Sequence, residues 1–209
     1  MPAIQIDVVS DVICPWCFLG KRRLDKAMAL VPEYTIDVMF RPFFLDPTIP
    51  AEGIPRETYM LNKFGAERLK TIHDPLVAAG KEDGIAYAFE QIKRTPNTMN
   101  AHRLLRWALE AGKQPAVVED LFAAYWLQGR DIGDAAVLLE IAQGNGMDGK
   151  SVAADLATNK DGLSILAEVE MAQKMGVSGV PAFIMAKKYL VVGAQSADVL
   201  ADAIRKVAA

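Results

Sequence analysis

The chain has 209 residues, of which 52% are apolar and 23% are charged, and its formal net charge is −3 at pH 7. This composition excludes a disordered chain, and the mixed charges do not favour a nucleic-acid or membrane-surface partner. No apolar run approaches the ~18 residues that a membrane span needs, and the first residues lack the pattern of a secretory signal. We therefore expect a globular, cytoplasmic protein in a compartment that keeps thiols reduced.

The first predicted element is a β-rich run from Ile4 to Val9 that ends at Ser10. The only two cysteines of the chain, Cys14 and Cys17, follow almost at once. Two cysteines placed at random would be three positions apart only about 1% of the time, and in a cytosolic chain this spacing indicates redox chemistry or metal binding.

A helix is predicted to open between the two cysteines. Proline is favoured at the first helical position, so Pro15 makes Cys14 the N-cap and Cys17 the third helical residue. We expect Cys14 to lie exposed at the helix tip, where free amides and the helix dipole lower the pKa of its thiol. Cys17, one turn inside, would be more shielded and could close a disulfide with Cys14. Trp16 would offer an apolar face to unfolded or peptide-like substrates.

Three other interpretations of the cysteine pair are open. A zinc site needs four ligands, and only His73 and His102, far away in the sequence, remain as soft partners. Two inert buried cysteines are also compatible with the pattern. A structural disulfide is disfavoured by the expected compartment. Dithiol redox chemistry without a metal is the preferred interpretation.

The remaining elements begin with the rest of the first helix, to about Val31, and a second strand from Thr35 to Phe40. This β-α-β order favours parallel strands. A turn-rich linker, residues 46–55, leads into a helical block, with Asn97 and Asp134 as predicted N-caps. A weak alternation at residues 85–89 suggests an extended segment. The predicted helices cover residues 57–64, 66–79 (interrupted by a proline), 98–111, 115–128, 134–143, 151–157 and 162–175.

The chain ends with two short predicted strands, Ala182 to Met185 and Tyr189 to Val192, joined as a hairpin, and a last helix capped by Ser196. The outer pieces can form one sheet with the helical block inserted. We therefore predict an α/β fold, β-α-β and β-β-α, with a large all-helical insertion. The predicted ranges are 1–44 and 161–209 for the two parts of the α/β fold and 45–160 for the insertion.

Three stretches carry a resemblance to a known family. They are the Cys14-Pro-Trp-Cys-Phe-Leu-Gly-Lys segment, the Asn97-Thr-Met-Asn-Ala-His-Arg-Leu segment, and Gly176-Val-Ser-Gly-Val-Pro-Ala-Phe before the β-β-α unit. Together they resemble the DsbA superfamily of thioredoxin-fold oxidoreductases, and most closely its FrnE-like branch.

The resemblance implies a thioredoxin fold with a DsbA-like helical insertion. It also implies a cis bond before Pro181 that faces the cysteines, with the Val180 backbone binding an extended substrate. The implied activity is thiol–disulfide exchange on proteins or peptides, with Cys14 as the nucleophile and Cys17 as the resolving thiol. No bound metal or organic cofactor is expected, and electrons would come from glutathione or a thioredoxin-type partner.

Two departures from the family's periplasmic oxidants bear on the direction of the reaction. Those proteins carry export signals and a Pro-His pair between the cysteines, whereas this chain has Pro15-Trp16. A histidine can stabilise a thiolate by charge, and a tryptophan cannot. We therefore expect a less oxidising couple, suited to isomerase or reductase work.

Two further side chains are candidate proton relays. Asp7 lies in the first strand, where burial would raise its pKa and let it exchange protons with Cys17. His102 lies in the insertion and could act as an acid or base above Cys14, since histidine titrates near neutral pH. His73 is interpreted as structural.

Two alternative functions remain open. The 2-hydroxychromene-2-carboxylate isomerases and kappa-class glutathione transferases share the layout and bind glutathione, but they typically carry serine where this chain has Cys14. The second alternative is a non-catalytic peptide-binding or chaperone module, for which Cys14 would be dispensable.

Overall fold

The computed structural model describes residues 3–208, which divide into two compact units. One unit contains the residues up to Leu45 and those from Leu166 onward, and the other contains Asp46–Ile165. The sequence-based boundaries, after residues 44 and 160, lie a few residues before these. Residues 1, 2 and 209, which the predicted ranges include, lie outside the described residues.

The elements follow the predicted order closely. The strands are Ile4–Ser10 (β1), Ile36–Pro42 (β2), Ile54–Pro55 (β3), Arg94–Thr95 (β4), Ala182–Met185 (β5) and Tyr189–Val192 (β6). The helices are Pro15–Ala29 (α1), Arg56–Phe64 (α2), Ala66–Leu69 (α3), Asp74–Asp83 (α4), Met99–Glu110 (α5), Gln114–Trp126 (α6), Ala135–Gly144 (α7), Gly149–Leu156 (α8), Gly162–Lys174 (α9) and Ala197–Ala208 (α10). A short 3₁₀ helix covers Phe89–Gln91.

The first unit is built on a four-stranded sheet in the order β2-β1-β5-β6. β1 and β2 are parallel, while β5 is antiparallel to both β1 and β6. The β5–β6 turn holds Ala186 and Lys187 at φ angles of 50° and 57°, which closes the predicted hairpin. These connections confirm the predicted thioredoxin fold, and the second unit is the predicted helical insertion.

The two faces of β1 pack against different helices. Side chains alternate between the faces of a strand, so Val8 and its cross-strand partner Phe183 share one face. Gly20 of α1 approaches the Phe183 ring on that face, and α1 packs against α10. On the opposite face, Val9 packs with Ala172 of α9. Ser10, two residues beyond Val8, therefore lies on the α1 face.

The helical unit corrects several local predictions. The helix predicted over residues 66–79 is two helices, α3 and α4, because a proline at the second position of α4 starts a new helix. Residues 85–89 form no strand, and the extended pairing is instead made by β3 and β4.

Of the two N-caps predicted for the helical block, one is displaced by one residue and the other is confirmed. The N-cap of α5 is Thr98 rather than Asn97, whose side chain instead accepts the Met99 N–H at 3.0 Å. Asp134 caps α7 as predicted, accepting the Ala136 N–H at 2.8 Å. No helix in the described part of the chain is long and apolar enough to cross a membrane.

Candidate active site

The start of α1 places Cys14 as predicted. Cys14 is the N-cap of the helix, in an extended conformation (φ −94°, ψ 113°), and Pro15 occupies the first helical turn. The Cys14 N–H donates to the Asp11 carbonyl at 3.0 Å, and the Cys14 carbonyl accepts the Cys17 N–H at 3.0 Å. This tight turn carries the chain from β1 directly into the helix. Both thiols are free.

The environment of the Cys14 side chain differs from the prediction in two respects. Cys14 is only 3% exposed, not exposed at the helix tip. Its thiol makes no hydrogen bond to the first amides of α1; instead Sγ donates to the carbonyl oxygen of Val180 at 3.8 Å. The reason is tertiary, because the loop that leads into β5 lies against the helix tip.

That loop contains the predicted proline. The Val180–Pro181 peptide bond is cis, as the family resemblance implies. The proline ring packs tightly on α1, since a Cβ added at Gly20 would lie 2.8 Å from Pro181 Cγ and 3.2 Å from the Phe183 ring. The absence of a side chain at Gly20 therefore allows this close approach. Sequence reasoning assigned no role to Gly20, although it lies in the quoted motif.

Cys17 lies one turn further along α1 and is 1% exposed. Burial raises its pKa well above the ordinary thiol value, because a thiolate loses its hydration there. A hydrogen bond with Cys14 and the negative charge of Cys14 raise the Cys17 pKa further. The thiol of Cys17 is therefore held in its protonated form while both thiols are free.

Two polar residues beside Cys17 were missed by sequence reasoning. Ser10 and Asp11 are 5% and 1% exposed, and both act on Cys17, Ser10 through its hydroxyl and Asp11 through its backbone; each lowers the Cys17 pKa somewhat. The Asp11 carboxylate accepts the Leu45 N–H at 2.7 Å and the Ile13 N–H at 3.4 Å, which fixes the loop before Cys14. A usable signal was present, since polar residues directly after a buried strand often lie at a site.

Asp7 occupies a different place from the cysteines. Its carboxylate accepts a hydrogen bond from Arg41 at 2.7 Å and lines a cavity of about 240 Å³ that also contacts Met171 of α9. Asp7 is paired with Ile184 across the sheet, on the α9 face, whereas Cys17 belongs to α1 on the other face. Its proposed relay role stays a prediction; the polar residues that act directly on Cys17 are Ser10 and Asp11.

The other predicted residues are placed as follows. Trp16 is 40% exposed on the first turn of α1, which leaves its ring available to a substrate. His102 is buried in α5 of the helical unit, and its role above Cys14 stays a prediction. His73 stacks on Phe89 with ring centroids 3.9 Å apart, and burial lowers its pKa. Such stacking fits the structural interpretation of His73.

The described residues contain no group of three or more His, Cys, Asp or Glu side chains placed to hold a metal ion. The site consists of a thiol at the N-cap position of α1, a second buried thiol and a cis-proline loop. This constellation on this fold defines a thioredoxin-fold dithiol protein. Residues 5–205 match the family of DSBA-like thioredoxin domains, and the chain belongs to that family.

Solved structures show the same architecture. A probable DsbA oxidoreductase from Streptomyces coelicolor is 32% identical, with a TM-score of 0.89 over 97% of this chain and 89% of that one. A 2-hydroxychromene-2-carboxylate isomerase is 17% identical, with a TM-score of 0.75 over 98% of this chain and 96% of that one. The cytosolic disulfide reductase DsbM from Pseudomonas aeruginosa, solved with GSH, is 16% identical, with a TM-score of 0.70 over 98% of this chain and the whole of that one.

Proposed function

We propose that the protein catalyses thiol–disulfide exchange on protein or peptide substrates through Cys14 and Cys17. The observation that carries the proposal is the position of Cys14 Sγ, 3.8 Å from the Val180 carbonyl beside cis-Pro181, with Cys17 one turn behind it. The membership in the DSBA-like family supports it.

The surroundings of the two thiols divide the reaction between them. The Cys14 thiolate attacks a substrate disulfide, releases one substrate thiolate and forms a mixed disulfide. Cys17 then attacks Cys14 Sγ and releases the second thiolate. The raised pKa of Cys17 keeps it protonated until that point, so it does not compete as the first nucleophile.

Ionisation of Cys14 also changes the cis-proline loop. A thiol can donate to the Val180 carbonyl, but a thiolate has no proton to donate. The carbonyl is therefore released when Cys14 ionises or enters a disulfide. An extended substrate backbone can then pair with Val180, while Trp16 contacts an apolar substrate side chain.

The direction of exchange follows from the residues between the cysteines. Pro15-Trp16 offers no cationic side chain to stabilise the Cys14 thiolate. We therefore propose disulfide isomerase or reductase activity in the cytoplasm, without a bound cofactor. Glutathione or a thioredoxin-type protein would return the electrons; the likeness to a cytosolic reductase solved with GSH is compatible with this choice.

The test compares the wild type with Cys14→Ser and Cys17→Ser in two assays, insulin reduction and refolding of scrambled ribonuclease. We expect Cys14→Ser to lose at least 1,000-fold in rate, on the order of a lost nucleophile. Cys17→Ser should accumulate a mixed disulfide on Cys14, visible by mass spectrometry. Full activity of Cys14→Ser would refute the proposal and favour a binding module or chaperone.

A glutathione-dependent isomerase is the second candidate, because the fold matches a 2-hydroxychromene-2-carboxylate isomerase over almost the whole chain. Its chemistry requires glutathione but no second thiol. Turnover of a small chromene substrate by Cys17→Ser at the wild-type rate, together with no exchange on protein disulfides, would select this candidate.

A further inference from the structure

Ser10 carries a buried hydroxyl that the folded, reduced protein does not use. The residue is 5% exposed, and its Oγ makes no hydrogen bond with any residue between 3 and 208. Buried hydroxyl groups are nearly always hydrogen-bonded, because an unsatisfied one costs free energy. A partner for Ser10 is therefore expected in another chemical state of the site.

The position of Ser10 identifies that partner. Ser10 ends β1 on the face that α1 covers, where Val8 lies opposite Phe183 and Gly20 approaches the Phe183 ring. Cys17 precedes Gly20 by three residues, so the two share one side of the helix. The hydroxyl of Ser10 lies close enough to the Cys17 sulfur to favour its ionised form. A thiolate is a much stronger acceptor than a thiol, so the bond forms when Cys17 loses its proton.

We propose that Ser10 is a catalytic residue whose hydroxyl donates a hydrogen bond to the Cys17 thiolate during resolution of the mixed disulfide. This role rests on the proposed thiol–disulfide exchange, in which Ser10 has had no part so far. Ser10 does not take the proton itself; it stabilises the anion that remains after the proton has left.

The Cys17 thiol gives its proton to a base in solvent, such as the substrate thiolate released in the first attack. The Cys17 thiolate attacks Cys14 Sγ, the intramolecular S–S bond forms, and the bond from Cys14 to the substrate sulfur breaks. The substrate sulfur leaves as a thiolate with the electron pair. Over both attacks the substrate disulfide gains two electrons and the Cys14–Cys17 dithiol loses two.

The other groups that act on Cys17 do not supply a side-chain hydrogen bond that stabilises its thiolate during resolution. Cys14 opposes ionisation of Cys17 while both are free, but its charge is gone in the mixed disulfide. Asp11 helps through its backbone, while its carboxylate accepts the backbone N–H groups of Ile13 and Leu45. A hydrogen bond to a charged group changes a rate roughly tenfold to hundredfold, and we expect that effect on resolution.

The experiment separates the two attacks. Reduced protein is mixed rapidly with oxidised glutathione, quenched in acid and analysed by mass spectrometry for the mixed and the intramolecular disulfide. In Ser10→Ala we expect the first attack to stay within twofold of the wild type and the resolution to slow at least tenfold. Ser10→Thr keeps a hydroxyl and should restore most of the rate, and Ser151→Ala, at an exposed position of α8, should change neither step.

Stability and titration distinguish catalysis from a structural role. Because the hydroxyl is unsatisfied in the reduced protein, Ser10→Ala should be at least as stable as the wild type toward urea. If the hydroxyl had a structural role instead, its removal would lower that stability. In a Cys14→Ala background the thiolate absorbance at 240 nm reports Cys17 alone, and Ser10→Ala should move its midpoint to higher pH.

The two hypotheses fail in different ways. An unchanged resolution rate or an unchanged Cys17 titration in Ser10→Ala overturns the role of Ser10 and leaves the proposed function intact. Wild-type protein that never forms the Cys14–Cys17 disulfide contradicts the proposed function itself, and the absorbance titration then still decides whether Ser10 supports the Cys17 thiolate.

Discussion

On the α9 side of β1 the carboxylate of Asp7 binds Arg41 at 2.7 Å, whereas on the α1 side the hydroxyl of Ser10 binds no described residue. The residues are three apart in one strand, and both are polar groups inside the sheet unit. Asp7 has its charge matched by a cation in the resting protein. The Ser10 hydroxyl has no hydrogen-bond acceptor among the described residues until Cys17 becomes a thiolate. A polar group beside a reactive atom and unsatisfied in the resting state is thus the better candidate for chemistry.

The tight packing on the α1 side can be tested at Gly20. In Gly20→Ala the new methyl group would lie 2.8 Å from Pro181 Cγ, and a proline ring cannot move aside without its backbone. We expect a loss of about 1–3 kcal/mol in the free energy of unfolding, the usual effect of overpacking. Urea denaturation measures it. Gly144→Ala is the matched control, because an added Cβ there meets no atom within 4 Å; equal stabilities of the two variants would contradict the packing argument.

The buried thiol on the same side should make stability depend on pH. The Cys17 pKa is raised in the folded protein by burial, so the fold binds this proton more tightly than the unfolded chain does. The contribution of this proton to the free energy of unfolding is complete below the thiol pKa of the unfolded chain, about 8.5. It is lost as pH rises from that value toward the pKa in the folded protein, at about 1.4 kcal/mol per pH unit.

The measurement compares urea denaturation of the reduced wild type and Cys17→Ala between pH 7.5 and 10. The difference between their unfolding free energies should shrink as pH rises, because the substitution removes the buried thiol whose proton the folded state holds. A difference that stays constant over this range would show that burial does not raise the pKa of Cys17.

The ion pair on the α9 side should matter for stability and not for resolution. Asp7→Asn removes the charge that faces Arg41, whose other ion pair, with Glu168, is longer at 3.8 Å. We expect a loss of about 1 kcal/mol, since the pair is partly buried. A double-mutant cycle with Arg41→Gln measures the coupling. The resolution rate of Asp7→Asn should stay within twofold of the wild type, and a tenfold loss would restore Asp7 as the proton relay.

The smallest effect on stability is expected at Trp16. Its side chain is 40% exposed, so Trp16→Ala should change the free energy of unfolding by no more than about 0.5 kcal/mol. Its predicted contribution is to substrate contact, and KM for an unfolded protein substrate should rise while the reaction of Cys14 with a small disulfide stays the same. Leu163→Ala, at a more exposed apolar side chain in the helical unit, is the control that should alter neither.

Local sequence signals were sufficient for the elements of the sheet unit. Pro15 indicated the start of α1 and the cap position of Cys14, and the alternating apolar runs indicated β1, β5 and β6. The helical unit was less well predicted near residues 66–89. There the proline of α4 starts a new helix, and β3 pairs with a strand about 40 residues later. Pairing over such a distance leaves little trace in either segment.

The sequence by itself determined that Cys14 occupies the N-cap position of a helix and that Cys17 follows it by one turn, because the start of a helix and its spacing are properties of neighbouring residues. Only the tertiary structure decided that Cys14 is buried against Val180 and that the two faces of β1 separate Asp7 from Cys17. Those facts depend on which segments meet across more than 150 residues of chain. The burial and the electrostatic surroundings of a thiol set its chemistry, and both depend on contacts between distant segments and not on the adjacent sequence.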